Sequence, residues 1–181
     1  RQQVLIIANS PHPDLGAIKN LLELNPNFEV KLTFIGDFNG DFNGTNLVIL
    51  HQLPSVSNNA SAVLAAISKL ELPVLYILGS QTGVTTFNGL ETGVKISDHR
   101  GNFAELLPDP NRDFSLFTMD EELMRRISAF PPLISPFGTY ELKSNAYVLL
   151  NQKVGSVKTG MPLMFFNING TIKTGVIAGE G

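Results

Sequence analysis

Residues 77–84 read ILGSQTGV, an apolar run that ends in the glycine-framed turn Gly79-Ser80-Gln81-Thr82-Gly83. In α/β enzymes such a turn lifts a nucleophile off the end of a strand into solvent, so the residue at its tip sets the chemistry. Here the tip is Gln81. The nitrogen lone pair of a carboxamide is delocalised into its carbonyl, and no general base frees it at neutral pH, so Gln81 cannot attack an electrophile as a thiolate does. Ser80 stands one place off the tip, and a serine elbow would need glycines where Leu78 and Thr82 stand. The other side chains that could do chemistry are Ser10, His12, Asp14, His51 and Gln52. The imidazoles and the carboxylate suit proton transfer or a metal ion, and the hydroxyl and amides of Ser10, Gln52 and Gln81 suit a polar ligand. The third histidine, His99 in SDHRGN, reads as a solvated loop residue.

The elements that must position these residues follow from the hydropathy pattern. VLIIA (4–8), LVIL (47–50) and VLYIL (74–78) are continuous β-branch-rich runs, the pattern of parallel strands covered on both faces. FEVKLTFI (28–35) alternates more and suits a strand nearer an edge. Two helices are predicted between them. One spans 14–24 with Leu15, Ile18, Leu21 and Leu22 on one stripe, and the other spans 59–70 with Val63, Leu64 and Ile67. Asp14 is placed to cap the first, and Asn58 or Asn59 the second. The order β-α-β-β-α-β predicts right-handed crossovers and a doubly wound sheet. Ligands of such sheets sit outside the carboxyl ends of the strands. That rim comprises Asn9, Ser10 and His12, then Gly36 and Asp37, then His51 and Gln52, then Gly79 to Thr82.

The tandem DFNGDFNG (37–44) predicts a protruding loop, since Asn-Gly pairs make tight turns. Asp37, Asn39 and Asp41 alternate as in a calcium loop, but Phe42 takes the place of the required glycine and no glutamate closes it. Beyond residue 97 the texture changes. DEELMRRISAF (120–130) reads as a short helix with acids first and arginines later. GTYEL, AYVLLNQ, PLMFFNI and TIKTGVIA read as strands, with Asn169-Gly170 as a hairpin turn between the last two. The second half is therefore mostly antiparallel. FPPLISPFGTY (130–140) offers Phe130, Leu133, Ile134 and Phe137 as apolar anchors for a partner, with prolines that discourage regular pairing.

Composition narrows the classes. Hydrophobic residues make up 43% of the 181 and charged ones only 16%, which suits one globular domain over 1–181. The net charge of −3 and the scattered basic residues exclude a nucleic-acid surface. With no cysteine there is no disulfide, thiolate metal site or cysteine nucleophile. No apolar run approaches the ~20 residues that cross a bilayer. The start at Arg1 and the stop at VIAGEG, just after a strand-like run, suggest a domain cut from a longer chain.

Two families resemble parts of this sequence. SPHPDLGA (10–17) resembles the first strand end of zinc-dependent deacetylases of the N-acetylglucosaminyl-phosphatidylinositol type, which reads H-P-D-D-E. His12, Pro13 and Asp14 match, whereas Leu15 replaces a zinc-binding aspartate and Gly16 the glutamate, so no metal ligand set is assigned. VLYILGSQTG (74–83), with the strands and helices before it, resembles the class I glutamine amidotransferase-like fold, whose elbow reads G-x-C-x-G. Gly79 and Gly83 match its glycines and Gln81 replaces its nucleophilic cysteine. PLMFFNINGTIKTGVIAGEG (162–181) is similar to the closing hairpin of that superfamily. The resemblance implies a flavodoxin-like, doubly wound, mostly parallel sheet with antiparallel strands added in the C-terminal half. It also implies close strand–helix packing at the glycines, a strained tip residue, and a histidine with an acidic neighbour after the last strand. That pair is not found before Gly181, and the glycine-rich oxyanion loop is replaced by HQLPS, whose Pro54 lacks an N–H.

The combination of VLIIANSPHPDLGAIKNLLE, LVILHQLPS, LPVLYILGSQT and the GEG ending resembles amidotransferase-like domains of large bacterial membrane proteins. Some of these are related to aerotolerance-type proteins with von Willebrand factor A-like regions. This resemblance implies a catalytically inactive scaffold or interaction domain of a membrane-associated protein, on the outer side of the cytoplasmic membrane. Its partners would be proteins or other domains of its own chain, and no cofactor is expected. The alternatives are a sensor of a small polar ligand and a metal-dependent hydrolase using His12, Asp14 and His51.

Overall fold

The computed structural model describes residues 1–143 and 146–181. Strand β1 (Gln2–Ala8) buries every residue from Val4 to Ala8, because it has a strand on each side and helices over both faces. Val4, Ile6 and Ala8 pack with Leu15 of α1 (Pro13–Glu23), whereas Leu5 and Ile7 join a larger core with Val63 and Ile67 of α2 (Ser61–Lys69). An unbroken apolar run is what a strand needs when its alternate side chains enter two cores. Beside β1 lie β2 (Phe28–Phe34), at the sheet edge, and β3 (Thr45–His51), followed by β4 (Val74–Ile77), all parallel. This half follows the pattern of parallel strands and intervening helices read from the sequence.

The short helix α3 (Val84–Asn88) follows the glycine-framed turn. Strand β5 (Val94–Ser97) pairs with β8 (Thr139–Leu142) in a separate ribbon. The remaining elements are β6 (Phe103–Pro110), α4 (Glu121–Ser128), β7 (Leu133–Pro136), β9 (Ala146–Val154), β10 (Val157–Asn169) and β11 (Ile172–Ile177). The large sheet runs β2-β1-β3-β4-β11-β10-β9-β6-β7. Its first five strands are parallel and the neighbours from β11 to β7 antiparallel, so the sheet is evenly mixed rather than mostly parallel. The tight turns at Gly155 (φ 57°) and Gly170 (φ 62°) impose the antiparallel sense, and β11 then enters beside β4 in the parallel sense.

Beyond β11 the chain meets β7. Ile134 N–H donates to Glu180 O at 2.8 Å and Glu180 N–H to Ile134 O at 2.9 Å, closing β11, β10, β9, β6 and β7 into a ring at that point. The FPPLISPFGTY stretch thus contains a paired strand despite its prolines, because Pro136 lies opposite Phe103 at the end of the β6–β7 ladder, where a missing N–H costs little. Phe130 and Phe137 are about half exposed. In the DFNGDFNG loop Phe42 is buried against Phe38, while Asn39 Oδ1 accepts Asp41 N–H and Asp41 Oδ1 accepts Asn43 N–H.

The caps differ from expectation. His12, not Asp14, caps α1, its Nδ1 accepting Asp14 N–H at 3.1 Å, which leaves the Asp14 carboxylate for other contacts. Helix α2 is preceded by Ala60 at φ 53° with no side-chain cap, while Asn58 and Asn59 hold the approach through Ala60 N–H and Ser61 N–H. Asp120 caps α4 through Leu123 N–H.

Candidate functional site

The carboxyl ends of β1, β3 and β4 deliver three loops to one rim, and the residues past β11 supply a fourth. At the elbow after β4 the backbone donors of residues 81–83 are engaged. Thr82 N–H donates to Gly79 O at 3.2 Å, Gly83 N–H to Pro54 O at 3.0 Å, and Gln81 N–H to Gln52 Oε1 at 2.7 Å. An oxyanion hole uses the N–H of the residue after the nucleophile. Whether position 80 or 81 is taken as the tip, that donor is already spent within the fold.

The Gln81 side chain is equally occupied. Its Oε1 accepts from Asn9 Nδ2 at 2.6 Å and from Ser10 Oγ at 2.8 Å, while Asn9 Oδ1 accepts from Ser55 Oγ at 2.8 Å. The expected strain at the tip is not there. Its counterpart is one strand away at Gln52, buried and left-handed at φ 55°, whose carboxamide holds the elbow in place. The glycines also have another reason than expected. A Cβ on Gly79 would lie 2.5 Å from Cδ and 2.9 Å from Cγ of Glu180, and one on Gly83 would lie 2.9 Å from Ser55 O. Gly79 makes room for a carboxyl group, Gly83 for the loop after β3.

Next to the elbow His12, Asp14 and His51 converge. Asp14 Oδ2 lies 3.4 Å from His12 Nδ1 and 3.4 Å from His51 Nε2, the two rings are 4.9 Å apart, and Gly181 N–H donates to the same carboxylate oxygen at 3.2 Å. His51 is 1% exposed, and burial lowers its pKa below the ordinary 6.5, partly opposed by the hydrogen bond to Asp14. Because the folded value lies below the unfolded one, the unfolded chain takes up the proton first. The stability that neutral His51 contributes is complete above about pH 6.5 and is lost as pH falls through the folded pKa. With chelator present, the urea midpoint is expected to be lower at pH 5 than at pH 7.5, and His51→Gln should shrink that difference. An unchanged difference in the variant would count against it.

Of the residues singled out from sequence, Ser10, His12, Asp14, His51, Gln52 and Gly79 to Gly83 all meet here. Gly36 and Asp37 do not, being exposed in the turn after β2. His99 is not part of the histidine cluster: it lines a cleft with Ser55, Thr82 and Gly83, half-buried on Phe103 with Nδ1 3.0 Å from Phe137 O. An acid does follow the last strand, contrary to the sequence reading: Glu180 is 8% exposed, accepts from Ser80 Oγ at 3.1 Å through Oε1, and brings Oε2 within 3.9 Å of His12 Nε2. The imidazole beside it comes from the loop after β1. The signal that could have found Glu180 was the closing hairpin itself, which brings residues 178–181 to the same rim once β11 docks on β4. Among the described residues the Ser80 hydroxyl donates to Glu180 and not to a histidine, since the carboxyl group stands between it and His12.

No family model matches the chain, and no curated protein is significantly similar to it in sequence. Solved structures are similar in fold. Agd3, a carbohydrate deacetylase, superimposes with a TM-score of 0.55 at 10% identity, over 98% of this chain and 29% of that one. A GMP synthase-like protein from Thermoplasma acidophilum gives 0.51 at 13% identity, over 96% and 81%. A ThuA-like protein from Bacteroides uniformis gives 0.51 at 10% identity, over 98% and 81%. The chain thus spans under a third of the deacetylase. Identities this low speak for fold alone: the chain has an α/β fold with a large mixed sheet, similar to that of the GMP synthase-like and ThuA-like proteins.

Proposed function

We propose that this domain is an amidotransferase-like module without acyl-transfer activity that works by contact, as a scaffold or interaction domain of a larger protein. The observation that carries this reading is the bonding of Gln81. Its carbonyl oxygen is held by Asn9 and Ser10 and its N–H by Gln52, so the position of a nucleophile serves as a fastening between loops. Phe130 and Phe137, half exposed on either side of β7, offer the apolar anchors for a partner. The membrane-associated, extracytoplasmic setting implied by the sequence resemblance belongs to the same proposal. Among the described residues no helix is long and apolar enough to cross a membrane.

The test is a glutaminase and esterase assay on the purified protein, with an electrophilic serine probe read by mass spectrometry. Neither turnover above background nor an adduct is expected, and Gln81→Cys should remain without glutaminase activity, because the side chain at this position is bonded to Asn9 and Ser10 and, among the described residues, to no imidazole. Turnover abolished by Ser80→Ala would overturn the reading. The hydrolase alternative draws on the same rim and first of all requires a bound metal ion.

A further inference from the structure

We propose that His12, Asp14 and His51 bind a divalent transition-metal ion of the zinc class, with Glu180 fixing the His12 ring from behind. The candidate ligand atoms lie within 4.8 Å of one another. The two 3.4 Å separations from Asp14 Oδ2 to His12 Nδ1 and His51 Nε2 are longer than good N–H···O hydrogen bonds, which centre near 2.9–3.0 Å. They do match a coordination tetrahedron, because an ion bound at about 2.0–2.1 Å sets neighbouring ligands roughly 3.3 Å apart. Two of the three ligand–ligand edges therefore already have metal-site length. Two imidazoles and one carboxylate select zinc and its neighbours over calcium and magnesium, which take oxygen donors.

Glu180 supplies an independent observation. Its Oε1 is satisfied by Ser80, but Oε2 is buried with no hydrogen-bond partner among the described residues, a costly state in a folded protein. That oxygen faces His12 Nε2 at 3.9 Å. Because Nδ1 of His12 accepts the Asp14 N–H, the ring proton is on Nε2, pointing toward Glu180. The tautomer is the one Nδ1 ligation needs. With an ion on Nδ1, the Nε2–H···Glu180 contact becomes the carboxylate–histidine–metal arrangement that orients ligands in metalloproteins. The Asp14 N–H released from Nδ1 is a first-turn donor that water can serve. Three protein ligands leave a position for water or an anion. The inference goes beyond the contact role proposed above and does not depend on it.

The test is titration of the metal-free protein with Zn²⁺ by calorimetry, with Co²⁺ as the optical probe and Mg²⁺ as the control. One equivalent of Zn²⁺ should bind, Co²⁺ should give the intense visible bands of a low-coordinate nitrogen–oxygen site, and Mg²⁺ should not compete. Glu180→Gln should keep the stoichiometry and weaken affinity about 10–100-fold. His12→Ala and Asp14→Asn should weaken it further, and His99→Ala should leave it unchanged. Absence of Zn²⁺ binding by the wild-type protein, or binding untouched in a folded His12→Ala variant, overturns the site. Unchanged affinity in Glu180→Gln overturns the role of Glu180. Zinc bound without turnover leaves the non-catalytic reading intact, so the two proposals fail separately.

Discussion

Replacing Phe87 with alanine is expected to remove about 3–5 kcal/mol of folding free energy, the usual cost of emptying a buried phenylalanine site. Phe87 is fully buried and meets Tyr76 of β4 edge-on at 5.6 Å. It lies in α3, a helix of five residues that is far too short to hold itself together. The helix therefore exists because Phe87 anchors it in the core, and α3 in turn fixes the trailing end of the elbow through Phe87 N–H to Gly83 O at 2.9 Å. For a chain of this size the loss corresponds to a melting temperature lower by roughly 6–20 °C. Phe87→Leu should cost much less, and amide exchange at Gln81 to Gly83 should quicken in the alanine variant. A loss below about 1 kcal/mol would show that α3 is held by something other than this ring.

Gly79→Ala tests the rim from the other side. The added methyl would press into Glu180, whose backbone is pinned to Ile134 by two hydrogen bonds, so the clash must be relieved by swinging the carboxyl group away from Ser80 and His12. Overpacking of this kind costs about 1–3 kcal/mol. The diagnostic is a double-mutant cycle in urea: in a Glu180→Ala background the same substitution is expected to cost under about 1 kcal/mol, because the atoms it meets are gone. Equal costs in both backgrounds would place the crowding elsewhere. Zinc affinity should fall in Gly79→Ala by about the 10–100-fold expected of Glu180→Gln, since both remove the same support from His12.

The parallel half could be read from sequence because its information is local. Val4 to Ala8, Leu47 to Leu50 and Val74 to Leu78 are apolar without alternation, and only a strand covered on both faces needs that. Once the strands are placed in order, the rule that ligands gather at their carboxyl ends brings His12, His51, Gln52 and Gln81 together without coordinates. Glu180 is harder to place, for the opposite reason: the closing hairpin points to it only once its docking is known. Its position depends on β11 pairing with β4, about a hundred residues away in the chain, and on the bridge to Ile134, and neither contact leaves a periodic trace. The sequence points to Asp14 as the cap of α1 because aspartate is the better intrinsic N-cap, whereas the fold gives that place to His12 Nδ1 and turns Asp14 toward His51. The left-handed conformation of Gln52 was equally hidden, since a glutamine seldom adopts it unless its surroundings over-determine it.

The bridge between Ile134 and Glu180 gives the molecule a mechanical property. A single antiparallel contact ties the rim bearing the histidines to a strand flanked by Phe130 and Phe137. Sliding β7 by one residue, about 3.3 Å, would drag the Glu180 backbone with it and draw its carboxyl group out of the space that Gly79 leaves open. A partner that shifted β7 in this way would alter the Glu180–His12 contact, and an ion seated at His12 would resist that shift by the same amount.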